Sequence, residues 1–266
     1  MSKALPSAFE RFFGKGTELV AHDSIADALR NIVRQGTTIY DWAADQPQPR
    51  ALRGRAPVYV ATLPGGDTIA VRHAWHGGLL APITRDLWIA PPRAAQELRK
   101  SVALQNGGIH TAPVLGYAAY SAGPRLVRVD VVSQYLDNTF DLAAVFSGLA
   151  PGIDHTQATE AVRVLLRHLE VQHLVHPDLN AKNILIRKTA GNPVAYVIDV
   201  DVMRHRPGTD RSSVRIANTA RLMRSLQKLR QQLDTQQDFL AGIMGILANV
   251  PFEPDPVLAP IVDFNG

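Results

Sequence analysis

Cysteine is absent from the 266-residue sequence, and aromatic residues make up only 6% of it. The absence of cysteine excludes disulfide scaffolds, thiolate zinc sites and thiol nucleophiles, and it is compatible with a reducing compartment. No apolar run is long enough to span a bilayer, and the N-terminal segment lacks the pattern of a secretory signal. The expected location is therefore the cytoplasm, with peripheral contact to a membrane left open.

Long blocks of one charge sign are also missing. The net charge is +4, apolar residues make up 46% and charged residues 20%. This composition is that of an ordinary globular protein and excludes a mainly disordered, collagenous or coiled-coil chain. The mild positive charge suits anionic ligands, but no basic cluster interleaved with aromatic residues indicates a nucleic-acid partner.

The first half of the sequence alternates between short β-rich runs and helical runs. Residues 1–50 indicate a mixed lead-in with one helix, which starts at Asp23 or Ser24 as its N-cap and ends near Arg34. The order β-β-α-β-β is then predicted from β-rich runs at 58–63, 68–73, 114–120 and 126–133 and a helical run at 93–105.

The second half is predicted to be mostly helical. Helical runs occupy 142–146, 157–172, 212–233 and 237–247, and short strands are expected at 184–186 and 194–198. One apolar helix face is expected from Val162, Leu165, Leu166 and Leu169. The sequence therefore predicts an α+β protein with a β-rich domain over 1–136 and a mostly helical domain over 137–266.

The most informative motif spans residues 176–183, HPDLNAKN, and is followed by an apolar strand. With Asp199 at the end of the next strand, it has the H-x-D-x-x-x-x-N pattern of a kinase-type active site. Phosphoryl transfer from ATP needs a carboxylate that accepts the proton of the acceptor hydroxyl, and oxygen ligands for Mg²⁺. We expect Asp178 to be the base and Asn183 and Asp199 to be the metal ligands, with His176 as a buried residue that braces the loop.

The first half is expected to supply a cation for the phosphates of ATP. Arg72 ends a predicted strand, and Glu97 lies on the following helix as its natural partner. Gly54 and neighbouring amides are the candidates for covering the phosphates, although no G-x-G-x-x-G pattern is present. The segment 14–17 resembles part of a P-loop but lacks the rest of that motif, so we reject it.

Three other polar features have weaker interpretations. His73 and His76 form a pair without a nearby carboxylate in the sequence, so no zinc site is expected there. Asp201 is a secondary candidate for a metal ligand. A basic helix face, interpreted mainly as solvent-exposed, is formed by Arg221, Arg224 and Lys228.

Three motifs together, HPDLNAKNILI, VIDVD and RHAWHGGL, resemble those of the lipopolysaccharide-core kinases, and among them the kinases of 3-deoxy-D-manno-octulosonic acid (Kdo). The resemblance implies a bilobal, protein-kinase-like fold and the use of ATP and Mg²⁺ to phosphorylate a Kdo hydroxyl on a lipid A precursor. It places the enzyme at the cytoplasmic face of the inner membrane. By matching motif it assigns Asp178 as base, Asn183 and Asp199 as metal ligands, and Arg72 and Glu97 as the phosphate-orienting pair.

Alternatives remain open at this point. The acceptor is Kdo or a related core sugar such as a heptose. An aminoglycoside- or choline-type phosphotransferase shares the H-x-D-x-x-x-x-N pattern, but the RHAWHGG segment argues against it. A nucleotide-binding pseudokinase scaffold is favoured by Arg72 in place of lysine and by the poor glycine loop, and is opposed by the intact Asp178, Asn183 and Asp199.

Overall fold

The structure is a computed structural model that describes residues 5–52, 56–75, 86–90, 92–232, 244, 245, 247, 258–261 and 264. The chain divides into two compact units. The first comprises residues 1–102, 113–135 and 266, and the second comprises 103–112 and 136–265. The α+β class predicted from the sequence is confirmed, because the first unit is built on a large sheet and the second mainly on helices.

The first unit contains an eight-stranded sheet in which every strand pair is antiparallel. Its strands are β1 (Phe9–Gly14), β2 (Thr17–His22), β3 (Arg50–Leu52), β4 (Val58–Thr62), β5 (Thr68–His73), β6 (Trp88–Ile89), β7 (Val114–Ser121) and β8 (Leu126–Gln134). They run in the spatial order β1-β2-β7-β8-β5-β4-β3, and β6 pairs with β8. Its helices are α1 (Asp23–Arg34), α2 (Ile39–Ala44) and α3 (Ala94–Asn106), the last of which is divided between the units after Val102.

Both faces of this sheet are covered, and strand alternation assigns residues to each face. On β8, Val132 packs in the apolar cluster that contains Leu29 and Ile39 of α1 and α2. Its neighbour Val131 packs in the opposite cluster, with Leu98 of α3. Successive side chains on a strand point to opposite faces. The position of a polar residue along the strand therefore shows which helix layer its side chain faces.

The lead-in segment contains a hairpin that the sequence did not predict. Strands β1 and β2 are joined by a tight turn in which Lys15 and Gly16 have φ values of 47° and 75°. Positive φ at both central residues is typical of the two-residue turns that join antiparallel strands. The glycine-lysine segment rejected as a P-loop is this turn. The helix that follows is capped by His22, whose Nδ1 accepts the Ser24 amide, rather than by Asp23 or Ser24.

The second unit is organised around its two longest helices. Its helices are α4 (Leu142–Phe146), α5 (His155–Val171) and α6 (Arg211–Gln232). Its strands are β9 (Thr139–Asp141), β10 (Leu174–Val175), β11 (Ile184–Arg187), β12 (Val194–Val197) and β13 (Arg204–His205). The predicted apolar face of α5 is confirmed, because all four of its expected core residues are buried in one cluster. The helix predicted over 237–247 falls largely outside the described residues.

Residues 103–112 group with the second unit rather than with the expected domain 1–136. Leu104 and Ile109 are buried in the core of the second unit. The His110 carbonyl also accepts a hydrogen bond from the Val197 amide at 2.9 Å, and Thr111 forms an isolated parallel bridge with Val197. These are contacts between residues distant in the sequence, so local patterns do not indicate them.

We predict that Gly116→Ala destabilises the first unit. Gly116 lies on β7 at an irregularity in its pairing with β8, and a Cβ there would come within 2.5 Å of the Val20 carbonyl oxygen on β2. Because two backbones would have to separate, we expect the free energy of unfolding to fall by about 1–3 kcal/mol. Urea titration measures it. Gly65→Ala is the control, since a Cβ at position 65 meets only Asp67 Oδ2 at 4.0 Å; equal midpoints for the two variants would contradict the prediction.

Candidate functional site

The 176–183 segment lies between β10 and β11, and a buried histidine holds its start. His176 is fully buried. Its Nε2 lies 3.1 Å from the Ile198 carbonyl oxygen, and its Nδ1 accepts the Asp178 amide at 3.2 Å. These partners require the neutral tautomer with the proton on Nε2. Burial lowers the pKa of His176, which also favours the neutral ring. The expected bracing role of this histidine agrees with these contacts.

Asn180 shapes the middle of the segment. Its Oδ1 accepts the amides of Lys182 at 2.9 Å and Asn183 at 3.2 Å, and its Nδ2 donates to the Asp178 carbonyl at 3.1 Å. A side chain that bonds backbone groups two and three residues ahead closes a tight turn. This turn brings Asp178 and Asn183 close to each other. Sequence reasoning had assigned no role to Asn180.

Asn183 is bonded directly to the candidate base. Its Nδ2 donates to the Asp178 carbonyl at 2.8 Å and approaches Asp178 Oδ2 at 3.5 Å. The amide nitrogen therefore faces Asp178, and the amide oxygen is the atom left for a cation. Asp178 itself is exposed. An exposed carboxylate on a fixed turn suits a group that must meet a substrate hydroxyl.

Asp199 follows β12 beside the same turn. β11 and β12 pair with Ile184 opposite Val197, and the Ile198 amide donates to the Asn183 carbonyl at 3.0 Å. Asp199 has φ 62° and ψ 44°, a left-handed conformation that a non-glycine residue adopts at some energetic cost. A short 3₁₀ turn, Val200–Val202, begins directly after it. Asp201 lies within that turn.

The donor atoms of Asn183 and Asp199 fit Mg²⁺ by their chemistry. Amide and carboxylate oxygens are hard ligands, and Mg²⁺ is usually held by one or two carboxylates together with waters and substrate phosphates. Across the described ranges, no group of three or more His, Asp or Glu side chains forms a metal-binding cluster.

Helix α6 anchors this loop through two polar residues that sequence reasoning missed. The buried Asn218 accepts the His176 amide at 3.0 Å and donates to the Leu174 carbonyl at 2.8 Å. Ser225, two turns further along, accepts the Ala181 amide at 3.0 Å. The available signal was Asn218 itself, a polar residue one turn before Leu222 in the buried stripe of α6.

In the first unit, Arg72 and Glu97 form an ion pair, as the sequence predicted. Arg72 lies on β5 opposite Val58 and Val131, and Glu97 lies in the first turn of α3. The Arg72 side chain is 38% exposed and that of Glu97 is 12% exposed, so part of the guanidinium remains accessible. Gly54, the candidate for covering phosphates, lies outside the described residues.

His73 has carboxylate partners that its sequence neighbourhood did not indicate. Asp130 of β8 and Asp86 both bind its ring. The sequence prediction had found no carboxylate near His73, because Asp130 is brought to it by strand pairing. His76, the other member of the predicted pair, lies outside the described residues.

The sequence model of the lipopolysaccharide kinase (Kdo/WaaP) family matches residues 52–243, more than half of the chain. The chain belongs to this family. The matched range contains Arg72, Glu97, Asp178, Asn183 and Asp199. Membership confirms the predicted resemblance to the lipopolysaccharide-core kinases.

Two curated members of the family are similar to the chain. The 3-deoxy-D-manno-octulosonic acid kinase of Mannheimia succiniciproducens is 29% identical over 148 residues, which cover 54% of this chain and 60% of that protein, under two thirds of its length. The kinase of the same name from Pasteurella multocida is 27% identical over 190 residues, covering 69% of this chain and 77% of that protein.

Among solved structures, WaaP in complex with acyl carrier protein aligns with 83% of this chain and 96% of its own, at 17% identity and a TM-score of 0.45. The fold of the family member described here is α+β. Among its described helices, none has the length and apolar character needed to cross a membrane.

We predict that Asn218→Ala weakens the fold by loosening the loop. The change leaves the His176 amide and the Leu174 carbonyl without their Asn218 partner in a buried region. We therefore expect the free energy of unfolding to fall by about 2–5 kcal/mol. Urea unfolding measures the loss, and hydrogen exchange at the His176 amide should become faster. Gln227→Ala, at an exposed position of the same helix, serves as the control. Unchanged exchange at His176 would show that Asn218 does not anchor the loop.

Proposed function

We propose that the protein is an ATP- and Mg²⁺-dependent kinase that phosphorylates a sugar hydroxyl of a lipopolysaccharide precursor, either on Kdo or on a related core sugar. The observation that carries the proposal is that the backbone brings together three residues with oxygen-bearing side chains, Asp178, Asn183 and Asp199, here called the junction. Asn183 is bonded to Asp178 and lies opposite Ile198, directly before Asp199. This junction and the Arg72–Glu97 pair both lie inside the family match.

Asp178 is the proposed base. Its carboxylate would orient the acceptor hydroxyl and accept its proton as the oxygen bonds to the γ-phosphorus of ATP, the bond from that phosphorus to the bridging oxygen breaks, and ADP leaves. The support is its exposure together with the bonds from Asn180 and Asn183 to its backbone carbonyl. These bonds fix the backbone from which the carboxylate projects, and Asn183 Nδ2 lies 3.5 Å from Asp178 Oδ2, which favours a positioned general base.

Asn183 and Asp199 are the proposed ligands of Mg²⁺. When bound, the ion would offset the negative charge of the phosphates. The Asn183 amide is oriented by its bond to Asp178, and the Asp199 backbone is held by the preceding Ile198 bond and the following turn. Both positions are therefore fixed before any ligand binds.

Arg72 is the proposed phosphate-orienting cation, with Glu97 as its holder. A guanidinium presents several donors in a plane, so it can bind a carboxylate and a phosphate oxygen at once. Glu97 is largely buried and Arg72 is partly exposed, which suits a pair with one side fixed and the other side open. The arginine thus performs a role that protein kinases give to lysine.

A lipid-linked sugar acceptor implies contact with the cytoplasmic face of the inner membrane. The net charge of +4 favours approach to an anionic surface. The acceptor is tested by incubating the purified protein with Mg·ATP and a Kdo-bearing lipid A precursor, with the same lipid lacking Kdo as the control. We expect phosphate on the Kdo-bearing lipid or, for a related core sugar, on a precursor extended by a heptose, and none on the lipid lacking Kdo. Transfer to the lipid without Kdo, or to an aminoglycoside or choline instead, would contradict the proposed acceptor.

We predict that Asp178→Ala abolishes transfer and leaves nucleotide binding nearly unchanged. The base acts on the acceptor hydroxyl, and a positioned base contributes about 10²–10⁴ to the rate. Steady-state kinetics with the sugar acceptor and calorimetry with Mg·ATP measure the two effects. Turnover near the wild-type value would show that Asp178 is not the base.

We predict that Asp199→Asn weakens Mg²⁺-dependent ATP binding more than Asp178→Ala does, because its charge would face the metal. Calorimetric titration with Mg·ATP compares the two variants. Asp201→Asn, two residues further on, is the matched control and should have the smaller effect. A reversed order, with Asp178→Ala the weaker binder, would overturn the assignment of the two carboxylates.

A further inference from the structure

His73 lies between two carboxylates, one at each ring nitrogen. Its Nδ1 is 2.7 Å from Asp130 Oδ1, and its Nε2 is 3.1 Å from Asp86 Oδ2. An ionised carboxylate only accepts hydrogen bonds, so both ring nitrogens must donate, and a histidine with two N–H donors is a cation. The His73 side chain is 10% exposed, and that of Asp130 is fully buried. This arrangement is a charged tether inside the first unit.

Asp130 is held firmly by its other partners. Its Oδ2 accepts the Tyr40 amide and the Tyr120 hydroxyl, each at 3.0 Å. The Tyr120 hydroxyl in turn accepts the Ile39 amide at 2.8 Å. Burial, followed by the negative charge of Asp130, raises the pKa of Tyr120 and keeps it a donor. Asp130 therefore joins β8 to β7 and to the start of α2.

Asp86 completes the tether from the other side of the ring. Its Oδ2 also accepts a hydrogen bond from Arg128 Nε at 2.7 Å. The group thus contains two anions, Asp86 and Asp130, and two cations, His73 and Arg128. Balanced charges that share hydrogen bonds can be buried together, whereas removing one partner leaves the others poorly compensated.

The tether acts at the point where β5 loses one of its neighbours. β4 begins at Val58, opposite Arg72, so Arg72 is the last residue of β5 with a strand on both sides. His73 is paired with Asp130 of β8 only. Since neighbouring residues on a strand point to opposite faces, Arg72 reaches Glu97 on one face while His73 is bound on the other.

We propose that His73, bound by Asp130 and Asp86, is a positioning residue for Arg72. The tether holds the end of β5 against β8, so that the guanidinium stays with Glu97 in the orientation needed for phosphate. This inference rests on the proposed function of Arg72. No residue of the tether contacts ATP in the proposal, and its effect on phosphate passes through Arg72 alone.

The tether has a direction of pH dependence. Burial alone would lower the pKa of His73, but Asp130 and then Asp86 outweigh it and raise the pKa. A raised pKa means that the charged tether is complete at lower pH and is lost as the pH rises through that value. Among the residues that the structure describes, the charged and titratable groups around the ring are Asp130 and Arg128 of β8, Asp86, and Tyr40 of α2. Burial raises the pKa of Tyr40. Burial acts to raise the pKa of Asp86 as well, but the hydrogen bond with His73 and the charge of Arg128 outweigh it and lower that pKa. Both groups therefore titrate away from neutral pH.

A double-mutant cycle tests the inference on the full-length protein, with Arg72→Ala, His73→Gln and both changes together. We expect His73→Gln to lower kcat/KM for ATP by about 10- to 100-fold, through KM for ATP rather than KM for the sugar. In the Arg72→Ala background the same change should add less than about twofold, because its target is already absent. His22→Ala is the matched control, since it removes a helix-capping imidazole in the same unit. It should leave both KM values unchanged.

Asp86→Asn keeps the shape of the side chain and removes one charge beside His73. We expect the loss of kcat/KM for ATP at high pH to begin at lower pH in this variant, while thermal melting shows that it still folds. This variant also provides the answer if His73→Gln does not fold. An unchanged pH profile would overturn the inference.

The outcomes separate the inference from the proposed function. If Arg72→Ala retains wild-type kcat/KM for ATP, the proposed role of Arg72 is wrong, and the positioning inference fails with it. If Arg72→Ala lowers kcat/KM for ATP and His73→Gln lowers it by the same factor in the Arg72→Ala background as in the wild type, the role of Arg72 stands and only the positioning inference fails.

Discussion

The loop that carries the candidate catalytic side chains has backbone groups that no helix or strand satisfies, and this constraint governs the second unit. Each buried N–H and C=O of such a loop needs a partner elsewhere. Here the partners are Asn218 and Ser225 of α6, the Asn180 side chain and the ring of His176. The packing of α6 against α5 and β10 therefore determines where Asp178 lies.

The same principle joins the two strands that carry the candidate ligands. The His176 ring bonds the Ile198 carbonyl, and the Ile198 amide bonds the Asn183 carbonyl. Ile198, directly before Asp199, is thus bonded to both the start and the end of the loop. The left-handed conformation of Asp199 persists because bonds on both sides determine it, and such conformations are frequent at functional sites.

The first unit uses the two faces of one strand for different purposes. Arg72 meets Glu97 on the face covered by α3, and His73 meets Asp130 on the face covered by α2. The strand itself is the connection between them. A sheet covered on both faces can hold charged pairs in this way, because each pair is shielded by a separate helix layer.

The regular elements were largely predictable from the sequence. Apolar spacing identified α5, and the β-rich runs at 58–63 and 68–73 identified β4 and β5. The hairpin β1–β2 was missed, because its three phenylalanines, Phe9, Phe12 and Phe13, do not alternate regularly with polar residues. The Arg72–Glu97 contact was predicted from the position of Arg72 at the end of a strand and of Glu97 on the following helix, and the resemblance implied the same pair.

The sequence by itself determined the residue types at the candidate site and their order, because the H-x-D-x-x-x-x-N pattern and the strand-terminal Asp199 are local features. Only the tertiary structure decided which other residues bond to these groups and hold them in place. Asn218 and Ser225 reach their partners through helix packing, Asp130 reaches His73 through the pairing of β5 with β8, and Asp86 reaches it through a side-chain contact. Residues 103–112 join the second unit through its core. The physical reason is that burial creates hydrogen-bonding demands that any suitably placed polar group can meet, wherever it stands in the chain.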